Sequence, residues 1–169
     1  MAEMYDYRTI VVGTDGSPLA GPTVARAAWL AAHDDADLVI VCAYSGLSRR
    51  DEARNVATLG GDARVGLVTG RADASAALAA AVGVARGRSA TISAALLVEG
   101  EPANALLATA AERAADLIVV GALRDASIAG RLLGTVAEEV VRRAPCDVLV
   151  VRPRPDPARQ PAAEESAAG

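Results

Sequence analysis

The sequence predicts an α/β protein, an open sheet of five parallel strands with helices on both faces. Three observations carry that prediction. Short, near-continuous aliphatic runs recur at wide intervals, as strands buried on both faces require. Ala-rich stretches with helical spacing lie between them, so β and α alternate and right-handed crossovers build a parallel sheet. Finally, 52% of the 169 residues are hydrophobic but only 2% are aromatic, with no Phe, so Val, Leu, Ile and Ala must fill the core. That length suits one domain.

The first strand is Arg8 to Val12 (RTIVV). Its helix runs through Thr23 to His33, where Val24, Ala27, Ala28 and Ala31 share an apolar face with Leu30 beside it. Ser17-Pro18 offers an earlier N-cap with proline in the first helical position, but a start there makes Pro22 cost an internal hydrogen bond. The second strand is Asp37 to Ala43. Ser45 to Arg71 follows, a polar stretch with Gly60-Gly61, Gly66 and Gly70; loops of that length are functional, mobile or partly helical. A helix over Asp73 to Arg86 leads to the third strand, Thr91 to Val98.

Pro102 to Ala114 is the next helix, with its proline at a permitted first-turn position. The fourth strand is Asp116 to Val120. The last helix, TVAEEVVRRA, follows Gly134 and is ended by Pro145. Arg142 and Arg143 in its final turn suit the helix dipole and, with Glu138 and Glu139, read as surface features. The fifth strand is Asp147 to Arg152. Three strands open on Asp (ADL, ADL, CDV), a weak echo of one βα unit and no solenoid repeat. The domain is expected to span residues 1–153, and the proline-rich, polar stretch 154–169 to be a disordered tail.

Composition excludes several function classes. All 17 basic residues are Arg, so lysine Schiff-base chemistry and the GxxxxGK[ST] phosphate grip are absent. One His (His33) and two Cys (Cys42 and Cys146) are too few for a His/Cys zinc site, and no metal centre is expected. Both cysteines lie in or beside apolar runs, as reduced core thiols do. His33 reads as a helix-end surface residue, with no nucleophile placed to use it. A net charge of -4 argues against nucleic-acid binding. No apolar run is long enough to span a membrane, and MAEMYDYRT lacks the regions of a signal peptide, so a cytoplasmic protein is expected.

Two loops could carry chemistry. Gly13-Thr14-Asp15-Gly16-Ser17 leaves the first strand, and ligands of open α/β sheets bind outside the carboxyl ends of strands, where a carboxylate accepts from ribose hydroxyls or a base amino group. From these residues alone, a turn that caps a helix outweighs a ligand role. The second loop runs from Val120-Gly121 to Gly134-Thr135-Val136. Its glycines let a phosphate approach main chain, helix-start N–H groups bind it, and Thr135 adds a hydroxyl. As spacing alone that is a weak signal, because GxGxxG is not present.

Together these motifs resemble the universal stress protein family, in its small single-domain form. Its nucleotide-binding members carry Gly, two residues, Gly, nine residues, Gly, then Ser or Thr after the fourth strand. Here Gly121, the nine residues Asp125 to Leu133, Gly134 and Thr135 fall in register, while Arg124 replaces the second glycine. VVGTDGS, Gly100-Glu101-Pro102, ADLIVVG and CDVLVVRP also match, over about residues 6–153. The resemblance implies a Rossmann-like sheet of order 3-2-1-4-5.

It also implies a site for an adenine nucleotide, ATP or cyclic AMP, in a stress-response regulatory protein. Asp15 falls on the ribose and base side, with Gly13 and Thr14 shaping that wall, and Ala43 offers main chain to the adenine. Val120, Gly121, Gly134, Thr135 and Val136 match positions around the ribose and phosphates. Gly130 and Arg131 lie inside the nine-residue segment, and Arg131 either reaches a phosphate or is solvated. Arg124 either strains or fills the loop, or pairs with a phosphate itself. The segment IAGRLLGTV resembles a subgroup that takes cyclic adenine nucleotides. Magnesium would enter only through bound phosphates, and no catalytic residue is identifiable. The resemblance further implies a homodimer through Val148 to Arg152. The alternatives are a nucleotide-free dimeric scaffold and a weak ATPase.

Overall fold

In a computed structural model, residues 5–46, 70–123 and 133–154 are described. The strands are β1 (Thr9–Gly13), β2 (Asp37–Tyr44), β3 (Thr91–Glu99), β4 (Leu117–Gly121) and β5 (Asp147–Val151). The helices among the described residues are α1 (Ala20–Asp34), α2 (Arg71–Arg86), α3 (Pro102–Glu112) and α4 (Thr135–Arg143). The strands form one parallel sheet in the order β3-β2-β1-β4-β5, as expected.

The alternation of side chains along the central strands divides the core into two layers. Ile10, Val12, Leu38, Ile40, Leu117 and Val119 face α1 and α2, meeting Val24, Ala27, Ala28, Ala31, Ala81 and Ala85. Val11, Val39, Val41, Ile118 and Val120 face α3 and α4, meeting Ala103, Leu106, Ala110, Ala137 and Val140. Large residues on the sheet meet mostly alanines on the helices, which lets the helices pack closely without aromatic filler.

Several boundaries differ from those expected. Helix α1 begins at Ala20, between the two starts the sequence offered. Pro22 therefore occupies its third position, where an N–H has no intrahelical partner, and no hydrogen bond is lost. The first bond of the helix runs from Thr23 N to Leu19 O, 3.1 Å. Helix α2 starts at Arg71, two residues early, with Gly70 as its N-cap. Strand β2 continues through Tyr44, held by Gly100 N donating to Tyr44 O at 2.8 Å.

At the edges, β3 bulges between Leu38 and Val39 of its partner, and Val148 to Val151 of β5 are only half-buried. The apolar run of β5 is thus no sign of burial on both faces within one chain, because an edge strand has a neighbour on one side only. Pro145 ends α4 by forcing Ala144 into extended backbone, φ -63° and ψ 136°. The tail from residue 155 and most of the Ser45 to Arg71 stretch, residues 47–69, lie outside the described residues.

Candidate functional site

Strand β1 lies between β2 and β4, and the chain leaves β1 for α1 on one face and β4 for α4 on the other. A crevice must open where the connections diverge, at the carboxyl ends of these strands. There the structure has a cavity of about 540 Å³. Gly13, Thr14, Asp15, Ala43, Val120, Gly121, Gly134, Thr135 and Val136, each named from sequence, all line it. Arg124, Gly130 and Arg131 lie outside the described residues.

The β1 wall is fixed by main-chain bonds. Thr14 N donates to Val41 O at 2.9 Å, carrying the β1–β2 ladder past the end of the strand. The chain then turns at Gly16, whose φ of +73° lies where a side chain would be strained. Asp15 Oδ1 accepts from Ser17 N at 2.9 Å, which fixes the carboxylate at the mouth of the crevice. The turn reading and the ligand reading of this loop are therefore compatible: the same bond makes the turn and orients Asp15.

On the opposite wall, Ala122 N donates to Val151 O at 2.7 Å and Gly134 N donates to Ala122 O at 2.6 Å. These bonds anchor the start of α4 to the ends of β4 and β5. A Cβ on Gly134 would sit 3.3 Å from Ala122 O, so glycine permits this approach of main chain to main chain. Among the described residues no side chain caps α4, whose N-cap is Gly134, and its first turn, Thr135, Val136 and Ala137, borders the cavity. N–H groups of a first helical turn have no intrahelical acceptor, and the helix dipole there favours an anion.

The start of α3 is different. Glu101 lines the cavity and caps its own helix, with Oε2 accepting from Asn104 N at 3.1 Å. The cavity is thus electrostatically two-sided, an open helix start beyond β4 and a carboxylate beyond β2. Asp15 and Glu101 are its charged side chains among the described residues, and no described Arg or His lines it.

Sequence reasoning missed Leu19, Ala20 and Thr23 because it set the α1 boundary elsewhere; the buried Thr23 hydroxyl donates to Leu19 O at 2.7 Å. It also missed Tyr44 and Ser45, having ended β2 at Ala43. The Tyr44 ring lies 5.6 Å below the Arg71 guanidinium, a cation–π contact joining β2 to the start of α2. The Gly100-Glu101-Pro102 turn was noticed only as a motif, and it too lines the cavity.

Fold and crevice together define a doubly wound α/β protein with a small-molecule cavity at its topological switch point. The chain belongs to the universal stress protein family, whose sequence model matches residues 6–152. It is 41% identical over 148 residues to universal stress protein Rv1636 of Mycobacterium tuberculosis, covering 88% of this chain and 98% of that one. A crystal structure of a universal stress protein in complex with cAMP superposes with a TM-score of 0.63 at 36% identity, covering 87% of this chain and 98% of that chain. A universal stress protein from Archaeoglobus fulgidus superposes with a TM-score of 0.64 at 26% identity, covering 85% and 98%.

Proposed function

We propose that the chain binds an adenine nucleotide in the switch-point cavity and acts as a stress-response regulator through its occupancy. The observation that carries this is the uncapped start of α4 on one wall and the oriented Asp15 carboxylate beside it. A phosphate suits the first, and ribose hydroxyls suit the second. The 36% identical relative solved with cAMP supports the same reading.

Charge favours a ligand with few phosphates. With Asp15 and Glu101 on the described walls and no described cation, the singly charged phosphate of cyclic AMP is repelled less than a triphosphate. ATP is the second reading. It requires Arg124 or Arg131 to supply positive charge, and magnesium would then come with the phosphates. The carryover of Gly121, Gly134 and Thr135 supports it. Hydrolysis is no part of either reading.

Denaturing the purified protein and analysing the supernatant by mass spectrometry, then titrating the nucleotide-free protein with cyclic AMP and ATP, tests the proposal. Cyclic AMP is expected to bind more tightly. Failure to bind either, with binding gained in Arg124→Gly, would mean a site lost to that arginine and leave a nucleotide-free scaffold. The half-buried edge β5 supports pairing with a second copy through Val148 to Val151, which light scattering checks. No helix among the described residues is long and apolar enough to cross a membrane, and a cytoplasmic location fits this reading.

A further inference from the structure

Ser45 stands directly after the last paired residue of β2 and lines the cavity. Its hydroxyl oxygen is buried and has no hydrogen-bond partner among the described residues. Folded proteins rarely leave such a group unsatisfied, because it has given up water and received nothing in return. The surroundings are otherwise well determined. Tyr44 O accepts from Gly100 N, and the Tyr44 side chain packs on the α2 side beside Ala74 and Ala77, under Arg71. By the alternation of the strand, Ser45 follows Ala43 on the α3 side.

The two-sided character of the cavity says which part of a ligand meets this oxygen. An anionic group belongs at the start of α4, beyond β4, and is disfavoured near Glu101 beyond β2. Strand β1 separates the two, so the ends of β4 and β2 lie about 10 Å apart, two strand spacings. A nucleotide laid across β1 with its phosphate at α4 therefore brings its base to the end of β2.

We infer that Ser45 is a base-recognition residue, whose hydroxyl oxygen turns into the cavity and accepts from the 6-amino group of the adenine. Rotation about χ1 moves the oxygen between staggered positions, and a hydroxyl oxygen accepts hydrogen bonds, so it matches that amino donor. The bond forms only when ligand is present, which explains an oxygen left unpartnered without it. This inference rests on the nucleotide reading above.

The test compares wild type with Ser45→Ala, titrating each with cyclic AMP and with the cyclic nucleotide of unsubstituted purine, which lacks the 6-amino group. Ser45→Ala is expected to weaken cyclic AMP roughly three- to tenfold, the loss of about one neutral hydrogen bond. Its affinity for the purine analogue should match wild type, and its ligand-free melting temperature should equal or exceed that of wild type. Equal affinity of both proteins for cyclic AMP overturns the inference. So does an equal weakening of both ligands, or a lowered melting temperature without ligand, either of which makes the hydroxyl structural. Wild type that binds ATP but neither cyclic ligand is compared with Ser45→Ala in the same way, using ATP and the triphosphate of the unsubstituted purine nucleoside; wild type that binds none of these overturns the nucleotide reading itself, and this inference with it.

Discussion

Asp116 Oδ2 accepts a hydrogen bond from the main-chain N–H of Arg8 at 2.7 Å, and the same oxygen accepts from Thr9 N at 3.0 Å. One carboxylate just before β4 thereby fixes the entry of β1 at the pole of the sheet opposite the cavity. Asp147, the first residue of β5, is used in a related way, accepting from the Tyr7 hydroxyl at 3.1 Å. At two of the three repeated Asp positions, Asp116 and Asp147, the residue therefore has a mechanical reason: the carboxylate holds the segment entering the central strand.

Removing this support should cost stability without touching the cavity. Asp116→Ala is expected to lose about 1–2 kcal/mol in urea unfolding, because the site is exposed and water replaces part of the bond to a charged acceptor. Asp116→Asn keeps an acceptor oxygen and should lose less. Equal losses in the two variants would mean that the acceptor is not what matters.

Acid stability should report on Asp34. The His33 side chain at 2.9 Å, then the Tyr7 N–H at 3.0 Å, hold its carboxyl below the ordinary carboxylate range, against a smaller opposing effect of burial. A depressed folded pKa contributes stability that is full above the unfolded value, about 3.9, and is lost as pH falls through the lower folded value. The stability gap between wild type and Asp34→Asn should therefore be constant at neutral pH and close below about pH 4. A gap that persists unchanged at pH 2 would contradict it.

At the turn between α3 and β4, Ala114 adopts φ +49°, a conformation costly for any residue with a Cβ. Ala114→Gly removes that cost and adds freedom to the unfolded chain, so the two effects oppose. The net expectation is a gain of up to about 1 kcal/mol in a thermal or denaturant melt. A loss would mean that the added freedom of the unfolded chain outweighs the strain relieved.

The sheet was legible because β1, β2 and β4 are buried on both faces and write that burial as uninterrupted aliphatic runs. The edge strands were located by the same runs, but their half-exposure was not, since Val148 to Val151 look no different in sequence from Ile10 to Val12. Helix starts were harder. Pro22 appears forbidden until one knows that α1 begins at Ala20, a matter of two residues decided by the turn at Ser17. At the site, glycines and Asp15 were visible because backbone approach and strand-end carboxylates restrict residue type. Ser45 was not, because a serine after a strand is ordinary until its oxygen is seen buried without a partner among the described residues.

Gly134 is where fold and ligand can be separated most sharply. A Cβ there meets the Ala122 carbonyl at 3.3 Å, and a branched side chain would also stand at the start of α4, where the proposed phosphate binds. The backbone of Gly134 is ordinary extended chain, φ -68° and ψ 161°, which valine adopts readily, so Gly134→Val should fold with a modest loss in melting temperature. Wild type at a cyclic AMP concentration one hundred times Kd should gain about 2.7 kcal/mol by mass action. Gly134→Val should gain nothing at that concentration. A ligand-induced shift of undiminished size in the variant would place the nucleotide somewhere other than the start of α4.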